Sequence, residues 1–534
     1  MQTHAVRRIV SRFVAVLLAS VPCVHAHAHD HGAGAPTEAE LGAVSFETSC
    51  RPQVAMDINR GVALVHSFWH EEALRTFEKV AAADPDCAIA WWGVAMARFH
   101  LYSSTPSAAE LDAGMQALIR ADSVKEKSDR EAAYVHGAYK LFEGYSARES
   151  DVSARRFADA MRGVSERYPQ DIDAKAFYAL GLLGGSAPGD LTLTNAKKAV
   201  ALLYPDFRKH PEHPGLAHYI IHACDHPQMA QQGLEAARRY AAIAPAAPHA
   251  LHMPAHIFAR LGMWDDDIRS NLASKAASEV TTGSRIGAEN RLHAMEFLEY
   301  AYLQNGQFNE ARAIANEALT VQRADANYDD YYLTVEARFP VLLAIESRDW
   351  AMAARLEPVS GAHWFSEALT LLAHAMAAGH RHDANAGKAA VARFDELLAR
   401  APTPNPALPP GSSSANLRDE IYAWAAFAQG DAARAIALLR STAYLQSKVG
   451  KGEVELPARE MLAEILLQEG RAAEALEEYQ ASLASDPNRF NGLLGGARAA
   501  EKLGRASVAT KYYAQLTSRC LQPPYAGSCR GPVW

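Results

Sequence analysis

A 34-residue period punctuated by glycine limits what this chain can become. Near the C-terminus, Leu456 to Pro487 sets out Leu462, Gly470, Ala475, Tyr479 and Pro487 as two helices broken at Gly470 and closed by proline. Phe490 to Leu516 repeats the plan, with Gly504 at its turn and Tyr513 on its second helix. Reading backwards, Gly430, Gly379, Asp349, Gly306 and Gly262 mark further turns, and Pro245, Pro169 and Pro85 close further pairs. The opening pair, Val54 to Pro85, carries Gly61, Ala73 and Phe77, and the next begins at Asp86 with Trp92, Gly93 and Met96. One such pair cannot bury its apolar face, whereas a stack buries a continuous core. The expected fold is all-α, a right-handed superhelical solenoid of about ten helix pairs. Abundant alanine and scarce β-branched runs favour helix, and almost no sheet is expected.

The N-terminus sets the compartment. Arg7, Arg8 and Arg12 precede the apolar run Phe13 to Val21, which is too short to anchor a chain in a bilayer. Residues 1–26 therefore read as a signal peptide, with small-x-small cleavage signals ending at Ala26 and Ala28, and Pro22 argues against a lipoprotein site at Cys23. No later stretch is apolar enough to span, so a periplasmic or secreted protein is expected. Residues 27–53 form a His-rich leader and entry segment, 54–400 the main solenoid, 401–415 a Pro/Ser linker, 416–519 a C-terminal repeat block and 520–534 a tail. Cleavage would move the formal net charge from −8 to about −11, a surface that disfavours nucleic acid. An oxidising compartment makes two disulfides candidates: Cys520 with Cys529 across a turn-rich tail, and Cys50 with Cys87 at the starts of two successive pairs. Cys224 is then odd and reads as a buried small hydrophobe.

The pattern of Leu462, Gly470, Ala475, Tyr479 and Pro487 resembles the tetratricopeptide repeat family, and degenerate copies extend the resemblance over nearly the whole mature chain. The resemblance implies a long concave groove lined by the first helix of each pair, which is the usual binding surface.

Histidine is concentrated on that groove. Residues 210–256 hold eight of the 22 histidines: His210, His213, His218, His222, His226, His249, His252 and His256. His218 and His222 are four apart, as are His252 and His256, and the two pairs are offset by 34 residues, one repeat. Asp225 and His226 are read as one turn further along the first of these helices, and His249 as one turn before His252. Aligning Gly262 with Gly306 sets His293, Glu296 and Tyr300 opposite His249, His252 and His256. Neighbouring first helices should lie roughly 8–10 Å apart, close enough for His218, His222, His252 and His256 to share an ion. Nitrogen ligands suit zinc or copper, with Cys224 or Asp225 adding or orienting a ligand. The competing reading is a metal-free polar groove that hydrogen-bonds a peptide, and Pro254 is placed to start or kink a helix and turn His249 and His252 elsewhere. His66 and His100 read as packing or solvent residues, and His27 to His31 as a short metal-scavenging tract.

Enzyme motifs are wanting. His218 to His222 lacks the glutamate of a hydrolytic zinc helix, and there is neither a phosphate-binding glycine loop nor a Gly-x-Ser-x-Gly elbow. Binding is thus expected ahead of catalysis, with a metal-dependent enzyme using the histidines as the alternative. The segments Arg60 to Trp69, His213 to His218 and Ala247 to Pro254 resemble a group of exported bacterial tetratricopeptide proteins, which implies fold and compartment and leaves the ligand open. The expected partner is a protein or peptide, with a metal ion as a further ligand.

Overall fold

A computed structural model describes residues 38–102, 105–186, 192–279, 285–321, 329–400, 413–449, 451–452 and 454–520. Residues 1–26, read above as a signal peptide, the histidine tract 27–31, most of the stretch read as a linker, and the expected Cys520–Cys529 pairing lie outside the described residues.

Every regular element among these residues is helical, and the helices follow one another as twelve antiparallel pairs, from Ala55–His66 with His70–Ala83 to Phe490–Lys502 with Ala506–Cys520. The turn glycines act by conformation: Gly262, Gly306, Gly430, Gly470 and Gly504 all have φ between +63° and +82°, where a side chain is penalised. Three pairs use a non-glycine residue in the same left-handed region: Phe68, Arg348 and His382. Counting glycines therefore underestimates the repeats. Gly379 is a correction of this kind. It lies inside the helix Trp364–Arg381, where a Cβ would come within 2.5 Å of the Trp424 ring, and the turn is made by His382.

Close approach between first helices also needs glycine. Phe77 fills the slot between Gly61 and Gly93, whose added Cβ atoms would stand 2.6 and 2.3 Å from its ring. Such a fully buried phenylalanine contributes about 1.5–3 kcal/mol. The resulting core runs through the stack in three overlapping segments, from Leu41 to Phe258, from Ala255 to Leu343 and from Val341 to Ala509. The last segment crosses the Pro/Ser stretch without interruption, because Trp364–Arg381 packs on Ser413–Ala428. The stretch read as a linker therefore marks no break in the core, and helix begins within it at Ser413.

The entry segment is a strap. Ala43 N–H donates to the Glu212 carbonyl at 2.9 Å, Phe46 N–H donates to Asn59 Oδ1 at 2.9 Å, and Ala246 N–H donates to the Glu40 carbonyl at 3.1 Å. It is tied down by a disulfide between Cys50 and Cys87, whose Cα atoms are 4.8 Å apart. Cys224 is a buried free thiol.

Candidate metal centre

Two equivalent helices start on proline 34 residues apart, Pro214–Cys224 and Pro248–His252. Pro254 has no N–H for the carbonyl four residues earlier, so the second helix is interrupted and restarts as Pro254–Arg260. Met253 nevertheless keeps right-handed helical angles (φ −52°, ψ −34°), and the course of the chain is preserved. His249, His252 and His256 consequently stay on one winding and reach towards their neighbours.

The ligating atoms sort into two trios. Those of His218, His222 and His249 lie within 4.8 Å of one another, as do those of His252, His256 and His293. Within the first, His218 Nε2 and His249 Nε2 are 3.1 Å apart, and within the second, His252 Nε2 and His256 Nε2 are 3.0 Å apart. Two nitrogens bound to one tetrahedral ion at roughly 2.0–2.1 Å stand about 3.3 Å from each other, so both separations are close to a coordination edge. The trios adjoin: the His222 and His256 rings are 6.4 Å apart, and those of His249 and His252 are 6.2 Å apart. The four histidines expected to share one ion are thus divided between two sites, each completed by a third imidazole.

Hydrogen bonds on the far side of three rings fix which nitrogen faces inward. The His66 carbonyl can only accept, so its 2.6 Å contact puts a proton on His218 Nδ1. Asn271 spends its amide N–H groups on Asp267, so its oxygen faces His252 Nδ1 at 2.7 Å and accepts from it. The Asp225 carboxylate accepts from His256 Nδ1 at 2.9 Å and is held from the other side by Arg260 Nε at 3.0 Å. Wherever such a ring is neutral, its Nε2 carries the free lone pair. His252 Nε2 and His256 Nε2 face each other across 3.0 Å, a gap that either a shared proton or a cation between them fills.

Three of these imidazoles are disfavoured from taking up charge. Burial lowers His218, His249 and His252 well below the usual histidine range, and the neighbouring histidines push each further down. Phe68 walls the first trio, its ring 4.5 Å from His218 and 5.4 Å from His249, and it holds a left-handed backbone (φ +53°) to do so. That conformation costs a non-glycine residue about 1–2 kcal/mol, and strain of this kind gathers at functional sites. Phe297 walls the second trio, 4.9 Å from His252 and 4.7 Å from His256. The open side is at His293, whose side chain is 41% exposed.

Other residues expected in the groove fall elsewhere. The first helix ends at Cys224, so Asp225 caps it and His226 lies beyond it, where its ring accepts from Gln228 N–H and stays out of both trios. Glu296 is paired with Arg338 and only approaches His293, at 3.9 Å. Tyr300 does not face His256: it is buried in the core, where its hydroxyl accepts from Arg489. The register inferred by aligning Gly262 with Gly306 fails for this residue because the seventh pair's first helix, Arg285–Gln304, is long and only its middle reaches the histidines.

One group was not legible as a site. His66 is fully buried, with Nε2 2.9 Å from Asp173 Oδ1 and Nδ1 3.0 Å from the Tyr219 hydroxyl. His213 Nε2 reaches the same carboxylate oxygen at 3.2 Å. Burial pushes Asp173 up, but the hydrogen bonds from His213 and His66 overcome it and hold the carboxyl below its usual range. Gly215 leaves the room, since a Cβ there would stand 2.5 Å from His66 Nδ1. This trio supports His218 through the His66 carbonyl.

Residues 456–489 match the family described as tetratricopeptide repeat. No curated protein matches the sequence. Among solved structures, the chain is similar to one in the APC/C hetero-tetramer Cut9–Hcn1, with TM-score 0.35 and 12% identity over 84% of this chain and 76% of that one. It is also similar to the tetratricopeptide domain of P58(IPK), with TM-score 0.21 and 12% identity over 85% and 99% of the two chains. A chain of Naa15/Naa10 bound to HypK gives TM-score 0.22 and 13% identity over 87% and 70%.

Proposed function

Taking as premise that this chain is a tetratricopeptide repeat protein, a scaffold suited to protein–protein interaction, we propose that it is an exported one whose histidine trios bind transition-metal ions. The observation that carries the reading is the facing pair of Nε2 atoms of His252 and His256, 3.0 Å apart, each ring oriented by a hydrogen bond at Nδ1. Hydrogen-bonded outer partners of this sort are what ligating histidines require. Two sets of three imidazoles suit Zn²⁺ or copper, and the absence of a thiolate from either set disfavours the softest ions. The half-exposed His293 leaves the second ion an open position, where a partner's side chain or a small ligand completes the coordination. Export is supported by the basic and apolar leader and by the Cys50–Cys87 disulfide.

The test uses untagged mature protein stripped with a chelator and titrated with Zn²⁺ and with Cu²⁺, with the metal content read by mass spectrometry. Two equivalents are expected. His249→Ala and His293→Ala should each remove one, and the double variant both, with little loss of stability because neither ring is fully buried. Substoichiometric binding by the wild type, or unchanged stoichiometry in the double variant, would leave a metal-free polar groove as the better account.

A further inference from the structure

The helix Arg285–Gln304 that supplies His293 also carries Glu299, about 9 Å further along its axis. Glu299 is completely buried, and neither of its carboxyl oxygens has a hydrogen-bond partner. It lines a cavity of about 100 Å³ enclosed with the helices Asp329–Glu346, Trp364–Arg381 and Ser413–Ala428. At roughly 10–15 Å³ for each water-sized atom, that space holds a ligand of about seven non-hydrogen atoms. Leu342, Ile345, Phe365, Leu372 and Leu417 give it an apolar wall, and Asn416, Gln446, Glu455 and the charged groups below complete the lining.

Charge at the cavity is unbalanced. Its one basic side chain, Arg338, is taken up by Glu296. Glu346 is held by Arg489 and Asn491. Glu420, buried on the same wall, accepts a long 3.3 Å bond from the Gln446 amide. Glu299 is left at the cavity wall with no hydrogen bond to its carboxyl, and Arg338, already paired with Glu296, only offsets its charge from a distance.

We propose that this cavity binds a small aliphatic ammonium ion, its alkyl body against the leucine-rich wall and its cationic head donating to Glu299. The chemistry selects the class: an apolar shape admits the chain, and a desolvated carboxylate requires a cation that can donate hydrogen bonds. Burial holds Glu299 and Glu420 well above the usual carboxylate range, so the empty cavity contains neutral acids, and the arriving cation makes ionisation of Glu299 favourable. The proposal does not rest on metal binding.

The probe is n-butylammonium, titrated calorimetrically into the full chain in chelator-containing buffer, with n-butanol and butyrate as isosteric controls. Saturable 1:1 binding of the ammonium is expected, at least about tenfold tighter than butanol. Glu299→Gln preserves the shape of the neutral acid and should fold, yet weaken the ammonium by about tenfold or more. Leu342→Trp fills the cavity and should abolish binding altogether. No saturable binding to the wild type, equal affinity for butanol, or retained affinity in either variant would each overturn the proposal.

Discussion

His380 lies against two indoles, its ring 3.9 Å from the Trp350 centroid and 5.0 Å from that of Trp424. Burial, then the charges of Arg348 and His382, lowers its pKa to about 3. Glu464 also approaches at 3.3 Å, but its carboxylate is engaged by Arg348. The unfolded chain takes up this proton below about pH 6.5, whereas the folded chain does not until about pH 3. His380 thus contributes stability that is fully present above pH 6.5 and lost as pH falls towards 3, at about 1.4 kcal/mol per pH unit. His380→Phe should reduce the loss of unfolding free energy between pH 7 and pH 4.5 by about 2–3 kcal/mol relative to wild type, measured by urea titration. The lowered histidines of the two trios act equally in both proteins, so the difference isolates this ring, and parallel pH profiles would show that it has no such role. At the same scale, the sequence made His218, His222, His252 and His256 visible because periodicity places them. His66 and His213 stayed hidden, because their common partner Asp173 lies on a third helix, more than a hundred residues from one of them. No spacing rule connects such positions.

Helices announce themselves through period and turn, but the strap before them has neither. Residues 42–51 have no regular secondary structure and are held by side chains, above all by Glu131. Its carboxylate accepts from Thr48 Oγ1 at 2.7 Å and from Ser49 N–H and Oγ at 2.9 and 2.6 Å, while also completing the capping box of Asp129–Phe142 through Ser128 N–H. Burial pushes Glu131 up, and these hydrogen bonds more than reverse it. The stabilisation is therefore present above the unfolded carboxylate pKa and is lost as pH falls through the lower folded value. Glu131→Ala should cost about 2–3 kcal/mol at neutral pH, since it strands several donors together with a helix cap. Hydrogen exchange should show the strap opening while the helices beyond remain protected. A loss under about 0.5 kcal/mol would mean that the disulfide and the Phe46 contacts hold the strap unaided. The pair Ile172–Gly184 with Thr194–Lys209 escaped the sequence reading for a related reason: no tight glycine turn joins its helices.

A repeat pattern specifies each unit's neighbour and says nothing about units two hundred residues apart, yet here the late repeats touch the middle of the chain. Asn488 Nδ2 donates to the Gly262 carbonyl at 3.1 Å, Trp264 Nε1 donates to the Asn488 carbonyl at 2.8 Å, and Arg260 Nη1 donates to the Lys451 carbonyl at 2.9 Å. At the heart of this junction Arg489, fully buried, forks onto Glu460 at 2.6 and 3.1 Å, reaches Glu346 at 2.7 Å and donates to the Tyr300 hydroxyl. Reading residues 416–519 as a separate block missed it, because Arg489 looks in sequence like any polar residue at a repeat boundary. Taking the guanidinium away leaves two carboxylates facing each other out of water. Arg489→Met should therefore cost about 3–5 kcal/mol, whereas replacing Glu346 and Glu460 as well by apolar residues of similar volume should restore most of it. Denaturant unfolding of the single and triple variants checks both halves of the statement. A single variant that loses less than about 1 kcal/mol would mean that the junction is already hydrated. The same measurement bears on the proposed metal centre, because Arg260 joins the Lys451 carbonyl to Asp225, the residue that orients His256. If the junction loosens in Arg489→Met, the second trio should lose metal affinity while the first, held by the His66 carbonyl, keeps its own.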